Sequence, residues 1–278
     1  MPKVLFVIPD GRSTAHELAL RSSESLRARS VDCQLVVLSG DPTDAAEQLH
    51  GLRADLIISL GGDGTFLRCA RLAHHLDVPI LGLNFGRVGY LLEDPPSDLV
   101  ETVSKILGGA GHLEDRSVLE LHVSIEEVST TAVVINEVTI ERTLPGHTVR
   151  VHAFVDGNSF LEYAADGVLV ASPLGSTAYN LSAGGPIILP HLDVLVITPV
   201  APHLTVDRSL VVDGDQEIRL TISGERPAIC VVDGVGISTL DQGQSVTVRR
   251  HQRRLRVASV SETPAVSRLR AGLRQNHE

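Results

Sequence analysis

The stretch that most constrains this chain runs from Asp55 to Arg68, Asp-Leu-Ile-Ile-Ser-Leu-Gly-Gly-Asp-Gly-Thr-Phe-Leu-Arg. Leu56–Leu60 is a short apolar run containing Ile57 and Ile58, the composition of a strand covered on both faces. It breaks at Gly61-Gly62, and helical composition resumes from Thr65. A strand, a glycine turn and a helix N-terminus in that order bring backbone N–H groups together. They add the positive end of the helix dipole and let a phosphate approach the main chain. Asp63 is out of place there, because phosphates repel a carboxylate. It is tolerable if it takes a proton from a hydroxyl, or faces a metal that the phosphates also bind. The competing reading is a tight turn in which Asp63 caps the next helix; on the turn alone both readings stand. The pattern is neither a Walker loop, for no Gly-Lys-Ser/Thr follows, nor the spaced-glycine dinucleotide fingerprint.

The elements around the turn alternate. Lys3–Ile8 reads as a buried strand, and Thr14-Ala-His-Glu17 has capping-box spacing before a helix to about Arg29. Cys33–Leu38 reads as a strand, Ala45–Leu52 as a short helix, and the helix after Thr65 runs to about His75. Val78–Leu83 is a further strand, entering the loop Asn84-Phe-Gly-Arg-Val-Gly-Tyr-Leu91, and a helix over Asp98–Leu107 closes the series. Such alternation predicts an α/β N-terminal domain with a mostly parallel sheet, whose ligands sit beyond the carboxyl ends of its strands.

Past Gly111 the grammar changes to short β runs, Leu119–Ile125, Ala132–Ile140, Val149–Val155, Phe160–Tyr163 and Gly167–Ala171. Further runs follow at Val194–Thr198, Ser209–Val212, Glu217–Ser223, Ala228–Val232, Ser245–Arg250 and Leu255–Val260. Asp156-Gly157, Asp213-Gly214 and Asp233-Gly234 supply turns between them. This predicts a mainly antiparallel β C-terminal domain over residues 112–262, after an α/β domain over 1–111, with 263–278 a tail or last helix.

Composition narrows the function. The 278 residues are 43% hydrophobic and 3% aromatic without Trp, so the core is mainly Val, Leu, Ile and Ala. A net charge of −10 argues against a general nucleic-acid or anionic-membrane surface. A phosphate site must therefore use backbone N–H groups, a metal and a few placed Arg or His residues. Cys33, Cys69 and Cys230 are odd in number and far apart, the pattern of free thiols in a reducing compartment. With no signal h-region and no apolar run near about 18 residues, a cytoplasmic placement is expected.

A second constellation lies in Ala164–Pro186, where the strand Gly167–Ala171 ends at Ser172-Pro173 and a small-residue turn precedes a helical turn over Ser176–Ser182. Small residues at a helix start let a planar ring lie against the backbone. Ser176, Thr177 and Ser182 offer hydroxyls, Tyr179 a stacking face, and Asp166 two acceptor oxygens for a ribose diol. Ordinary alternatives are a strand-entry turn at Asp166-Gly167 and hydroxyls that cap a helix. Asn136-Glu137 interrupts the apolar run Val133–Ile140; the alternatives are a functional carboxylate or one that points to solvent.

Taken in order, Gly61-Gly-Asp-Gly-Thr65, Asn84–Leu91, Asn136-Glu137, Asp166-Gly167 and Gly175-Ser-Thr-Ala-Tyr-Asn-Leu-Ser-Ala-Gly-Gly-Pro186 resemble the motifs of NAD kinases over about residues 3–260. The first turn alone is shared with diacylglycerol and sphingosine kinases; the last motif is the most specific. The resemblance implies transfer of the γ-phosphate of ATP to the 2′-hydroxyl of the adenosine ribose of NAD. It implies Asp63 as proton acceptor, with Gly64 and Arg68 beside the phosphate and ribose region. Asn136, Glu137, His147 and Asp166 resemble nucleotide contacts, and Thr177, Ala178, Tyr179, Asn180, Leu181 and Ser182 the adenine-side loop. It further implies a divalent metal ion, usually Mg²⁺ in the family, held mainly by phosphates, ATP or polyphosphate as donor, and a homo-oligomer, dimer or tetramer. Leu174 stands where many members have Thr, Ala164 where a polar residue is common, Val235 where a turn often ends in Gln, and Phe85 replaces a smaller residue. These departures bear on nucleotide preference. Two other readings share the first turn: a kinase of a lipid or sugar hydroxyl, and a non-catalytic nucleotide-binding homologue.

Overall fold

The computed structural model describes residues 1–38, 48–85, 91–125, 128–203, 206–259, 266–267, 269–270 and 273. The middle of the Asn84–Leu91 loop, the first three residues of the expected Ala45–Leu52 helix and most of the 263–278 tail lie outside them. Two compact units emerge, Met1–Arg116 with the chain from Leu255 onward, and Ser117–Arg254.

The first unit opens with β1 (Lys3–Pro9), α1 (Ser13–Ala28), β2 (Asp32–Leu38) and β3 (Leu56–Gly61). It continues with α2 (Asp63–Leu76), β4 (Ile80–Asn84), α3 (Leu99–Leu107) and β5 (His112–Arg116), and regains the chain at β18 (Leu255–Ser259). Its sheet has the order β2-β1-β3-β4-β18-β5, parallel except for the β18–β5 pair. Val4–Ile8 and Leu56–Gly61 are buried throughout, because helices cover both faces of a parallel sheet. α1 buries Ala15, Ala19, Ser22, Ser23 and Leu26, a stripe at helical spacing. Each fully buried Leu, Ile or Val contributes roughly 1.5–3 kcal/mol of transfer free energy.

Helix starts differ from the sequence reading in two places. α1 begins at Ser13 and its first turn has no side-chain cap, so Thr14 lies inside the helix and is not its cap. α2 begins at Asp63, ahead of the expected Thr65, because Gly62 in an extended conformation is already the N-cap. α3 starts as expected, with the Asp98 carboxylate accepting the Glu101 N–H at 2.9 Å. β18, expected among the strands of the second half, and β5, for which the sequence reading gave no strand, belong to the first unit's sheet. β18 pairs with β4 in parallel and with β5 antiparallel, which its apolar composition alone does not distinguish from a sandwich strand.

The second unit is antiparallel β. Its first strands are β6 (Leu119–Ile125), β7 (Val128–Val134), β8 (Glu137–Arg142), β9 (Val149–Val155), β10 (Asn158–Ala165) and β11 (Gly167–Ala171). A 3₁₀ turn (Gly175–Thr177) and α4 (Tyr179–Ser182) follow, then β12 (Val194–Val200), β13 (Leu210–Asp213), β14 (Ile218–Ile222), β15 (Ala228–Val232), β16 (Val235–Leu240) and β17 (Ser245–Arg250). One sheet has the order β10-β9-β14-β17-β6-β7, the other β13-β12-β11-β8-β15-β16. One core, including Leu121, Ile140, Val151, Val170, Ile197 and Leu220, joins them as a sandwich. The expected strand Ala132–Ile140 is two strands, broken at Ile135-Asn136. Asp156-Gly157 and Asp233-Gly234 make hairpin turns, each with positive φ at both residues.

Among the described residues, a polar tip without a partner lies in the sandwich core. Tyr163 is fully buried in the sandwich, its hydroxyl has no hydrogen bond, and burial pushes the phenol up to about 12. Tyr163→Phe removes an unsatisfied oxygen and little else, so it is expected to leave stability unchanged or raise it by about 1 kcal/mol. Urea unfolding measures this; a loss of more than about 1 kcal/mol would contradict the packing described.

Candidate functional site

In the first unit, the turn after β3 is shaped by sterics. A Cβ at Gly61 would lie 2.6 Å from Thr65 Oγ1 and 3.1 Å from Pro9 Cδ, so this position requires glycine. The Gly62 carbonyl accepts N–H groups from Thr65 at 3.0 Å and Phe66 at 3.1 Å, closing the first turn of α2. At Gly62 and Gly64 a Cβ would meet nothing within 4 Å, so open space borders the turn on that side. Asp63 is the first residue of α2, half-buried, with one carboxylate oxygen out of solvent. Arg68, half-buried, stands in the next turn of the same helix, and Phe85 donates its N–H to the Gly61 carbonyl at 3.0 Å. The turn thus combines the first N–H groups of a helix, which lack intrahelical acceptors, with a fixed carboxylate.

In the second unit, the period-two alternation of β8 sorts its side chains. Val138 and Ile140 enter the sandwich core, so Glu137, Thr139 and Glu141 face the other side of the sheet. On that side Leu169 and Ala171 of the neighbouring β11 pack against Ile188 and Ala183, which places the Ser172–Ile188 segment over β8. The segment is held by polar contacts along its length. Ser172 donates its N–H to the Asn136 carbonyl at 2.8 Å and its Oγ–H to the Ile135 carbonyl at 2.6 Å. A Cβ at Gly175 would lie 2.1 Å from the Asn136 carbonyl oxygen, so only glycine allows this approach. Ser176 Oγ donates to the Pro173 carbonyl at 2.7 Å and accepts the Ile188 N–H at 3.0 Å.

These contacts separate the expected ligand residues. Asn180 is fully buried: its amide donates to the carbonyls of Ser176 and Pro186, both at 3.0 Å, and accepts Thr198 Oγ1 at 2.7 Å. Its side chain is committed inside the protein and braces the turn. Thr177, Ala178 and Leu181 are half-buried, Tyr179 and Ser182 exposed at the surface of the segment. Asp166 is half-buried and pairs with Arg142 at 3.0 Å. His147 is exposed, with Nδ1 2.7 Å from Arg226 Nη1, and its carbonyl accepts from Arg142 at 3.2 Å.

Asn136 and Glu137 are both buried, so Glu137 does not point to solvent. Among the described residues the Asn136 Oδ1 and Glu137 Oε2 atoms have no hydrogen-bond partner. Burial, then the negative charge of Asp233 and finally that of Glu141, raise the Glu137 carboxyl to about 8, against a hydrogen bond from the Tyr179 N–H. Burial raises the Tyr179 phenol, helped by Glu141, Asp166 and Glu137 and opposed by Arg142. A phenol in that field stays protonated and can donate. The face therefore presents acceptor oxygens and one aromatic ring. It suits hydroxyl- and amino-bearing groups and repels phosphates.

Asp233 and Arg142 escaped the sequence reading as site residues, the first seen only as part of a turn. Cys69 and Cys230, pushed up to about 12 by burial, and Cys33, also raised by burial, are unreactive core thiols. Among the described residues no group of His, Cys, Asp or Glu is placed to hold a metal by itself, and no helix is long and apolar enough to cross a membrane.

The raised Glu137 carboxyl gives a stability prediction. Between the ordinary carboxylate range and about 8, the folded chain holds a proton that the unfolded chain has lost, so this group's contribution to stability falls as pH rises. Glu137→Gln should therefore melt at least as high as wild type at about pH 8.5, with the difference closing toward about pH 5. Melting curves across that range check it; a difference that widens toward acid would contradict the assignment.

Comparison with known proteins agrees with this geometry. Residues 3–110 match a family model described as the ATP-NAD kinase N-terminal domain, and residues 135–260 one described as the ATP-NAD kinase C-terminal domain. The NAD kinase of Heliobacterium modesticaldum is 37% identical over 288 residues, covering 99% of this chain and 99% of that protein. The NAD kinase of Moorella thermoacetica is 35% identical over 85% of this chain and 76% of that protein. Among solved structures, a yeast NADH kinase complexed with NADH shares the fold at a TM-score of 0.84 and 22% identity, covering 100% of this chain and 89% of that one. An NAD kinase from Archaeoglobus fulgidus in complex with ATP has a TM-score of 0.75 at 25% identity, with 99% of each chain covered. Matched in both units and along nearly its whole length, the chain belongs to the NAD kinase family, transferases that phosphorylate NAD to NADP.

Proposed function

We propose that the chain makes NADP by moving the γ-phosphate of ATP to the 2′-hydroxyl of the adenosine ribose of NAD, with Asp63 as proton acceptor. The 2′-oxygen forms the new bond to the γ-phosphorus, and the bond from that phosphorus to the β,γ-bridging oxygen breaks to release ADP. The hydroxyl proton passes to the Asp63 carboxylate. A ribose hydroxyl is a poor nucleophile, so a carboxylate held within hydrogen-bond reach helps it attack in line. The observation that carries this reading is the position of Asp63. It is fixed at the start of α2, beside a turn whose Gly62 and Gly64 leave open space.

In this reading the α2 N-terminus, with Gly64 and Arg68, lies along the phosphate and ribose region of the dinucleotide. Asn136, Glu137 and Asp166 take up nucleoside hydroxyl and amino donors, and Tyr179 lies against a base. Thr177, Ala178, Leu181 and Ser182 line that base, Asn180 braces them from inside, and His147 makes an outer contact. A divalent cation, Mg²⁺ in this proposal, would be held mainly by the ATP phosphates and would supply neutralisation of their charge. Asp63 is a hard oxygen donor of the kind Mg²⁺ accepts. Polyphosphate in place of ATP is open to the same donor chemistry.

Purified protein with ATP, Mg²⁺ and NAD, coupled to an NADP-specific dehydrogenase, tests the assignment. Wild type is expected to form NADP. Asp63→Asn is expected to bind NAD within a few-fold of wild type while kcat falls by about 10²–10⁴-fold. Full activity in the variant would remove Asp63 from its role. Phosphorylation of a lipid or sugar hydroxyl without NADP would redirect the whole reading.

A further inference from the structure

The residue that positions the Asn136-Glu137 pair lies about a hundred positions away, in a hairpin turn. Asp233 opens the β15–β16 turn in the left-handed region, at φ 45°, followed by Gly234 at 81°. Its carboxylate accepts three successive main-chain N–H groups: Ile135 at 3.0 Å on Oδ2, then Asn136 at 2.7 Å and Glu137 at 3.1 Å on Oδ1. Its own N–H donates back to the Glu137 carbonyl at 3.0 Å. Nothing in a two-residue hairpin turn calls for such a clamp, since Asn and Gly serve equally there. What the clamp does is satisfy the N–H groups where β7 ends and β8 begins, at the break in the ladder. Ser172 and Gly175 hold the carbonyl side of the same residues. With the main chain fixed on both sides, the Asn136 Oδ1 and Glu137 Oε2 atoms stay buried and unpartnered.

We propose that Asp233 is a positioning residue for NAD: its carboxylate fixes the main chain at Asn136-Glu137 and so aims both side chains at the dinucleotide. The proposal rests on the reading that these two residues contact the dinucleotide. Glu137 is faced by Asp233 from the hairpin turn, by Glu141 on its own strand, and by the Tyr179 N–H from α4. Asp166 and Arg142 lie around the same tyrosine. After burial itself, the charge of Asp233 is the largest influence on Glu137. Removing that charge without changing the shape lowers the Glu137 pKa and loosens one of the three N–H contacts.

Asp233→Asn is the direct test. The variant is expected to raise KM for NAD about tenfold, leave KM for ATP within about twofold, and keep most of kcat. It should also move the carboxyl titration of Glu137 to lower pH, read by isotope-edited infrared or ¹³C NMR on the ligand-free protein, with Glu137→Gln identifying the signal. Asp233→Ser, neutral and shorter, replaces it if the Asn variant does not accumulate. The NMR arm needs no NAD, so an absence of NAD binding in wild type would fail the functional reading while leaving the clamp testable. A Glu137 titration that stays in place, or a lower melting temperature with both KM values unchanged, would overturn the proposal and leave Asp233 a structural turn residue.

Discussion

Three N–H groups on one carboxylate decide where β8 starts, and where it starts decides which way every residue of the strand faces. A strand shifted by one residue would turn Val138 and Ile140 out of the sandwich and bury Thr139 in their place. Register here is therefore held twice, by the apolar demand of the core and by the Asp233 clamp. The consequence for chemistry is that Glu137 and Glu141 must share one face with Asp166 and Tyr179. That face concentrates carboxyl groups, and in the proposed function a chain with a net charge of −10 uses it for nucleoside hydroxyl and amino groups and not for phosphates.

The first unit solves the opposite problem. Its parallel sheet needs apolar residues on both faces of β1 and β3, which leaves the strand ends and turns to carry polar function. Gly61 has no room for a side chain, whereas Gly62 and Gly64 border open space. The first glycine serves packing and the other two serve access. Asp63 takes its place from that geometry, since α2 can begin there only after an extended Gly62.

Much of this was legible in the residues. The β-branched runs and glycine breaks of the first hundred residues placed the parallel strands, and Asp156-Gly157 and Asp233-Gly234 marked true hairpins. The family motifs located the turn at Asp63 and the Ser172–Pro186 segment. Other features were hidden for physical reasons. Asn136-Glu137 visibly interrupts the apolar run Val133–Ile140, but the residues on both sides of it are buried, so hydrophobicity does not tell a polar pair within one strand from a break between two. β16 alternates weakly because it is an edge strand with exposed residues. The role of Asp233 depends on contacts 96 to 98 residues apart, beyond any local pattern. Asn180 reads the same whether it faces a ligand or the interior; only its three internal hydrogen bonds separate the two.

The account stands on the carboxylate of Asp63 meeting the ribose that accepts the phosphate. The most direct measurement is a crystal structure of the protein with NAD and a non-hydrolysable ATP analogue. The expected result is an Asp63 carboxylate oxygen about 2.6–3.2 Å from the 2′-oxygen of the adenosine ribose, the reach of a hydrogen bond that can carry a proton. A bound dinucleotide whose 2′-oxygen lies well beyond that reach, with Asp63 turned away from it, would contradict the account.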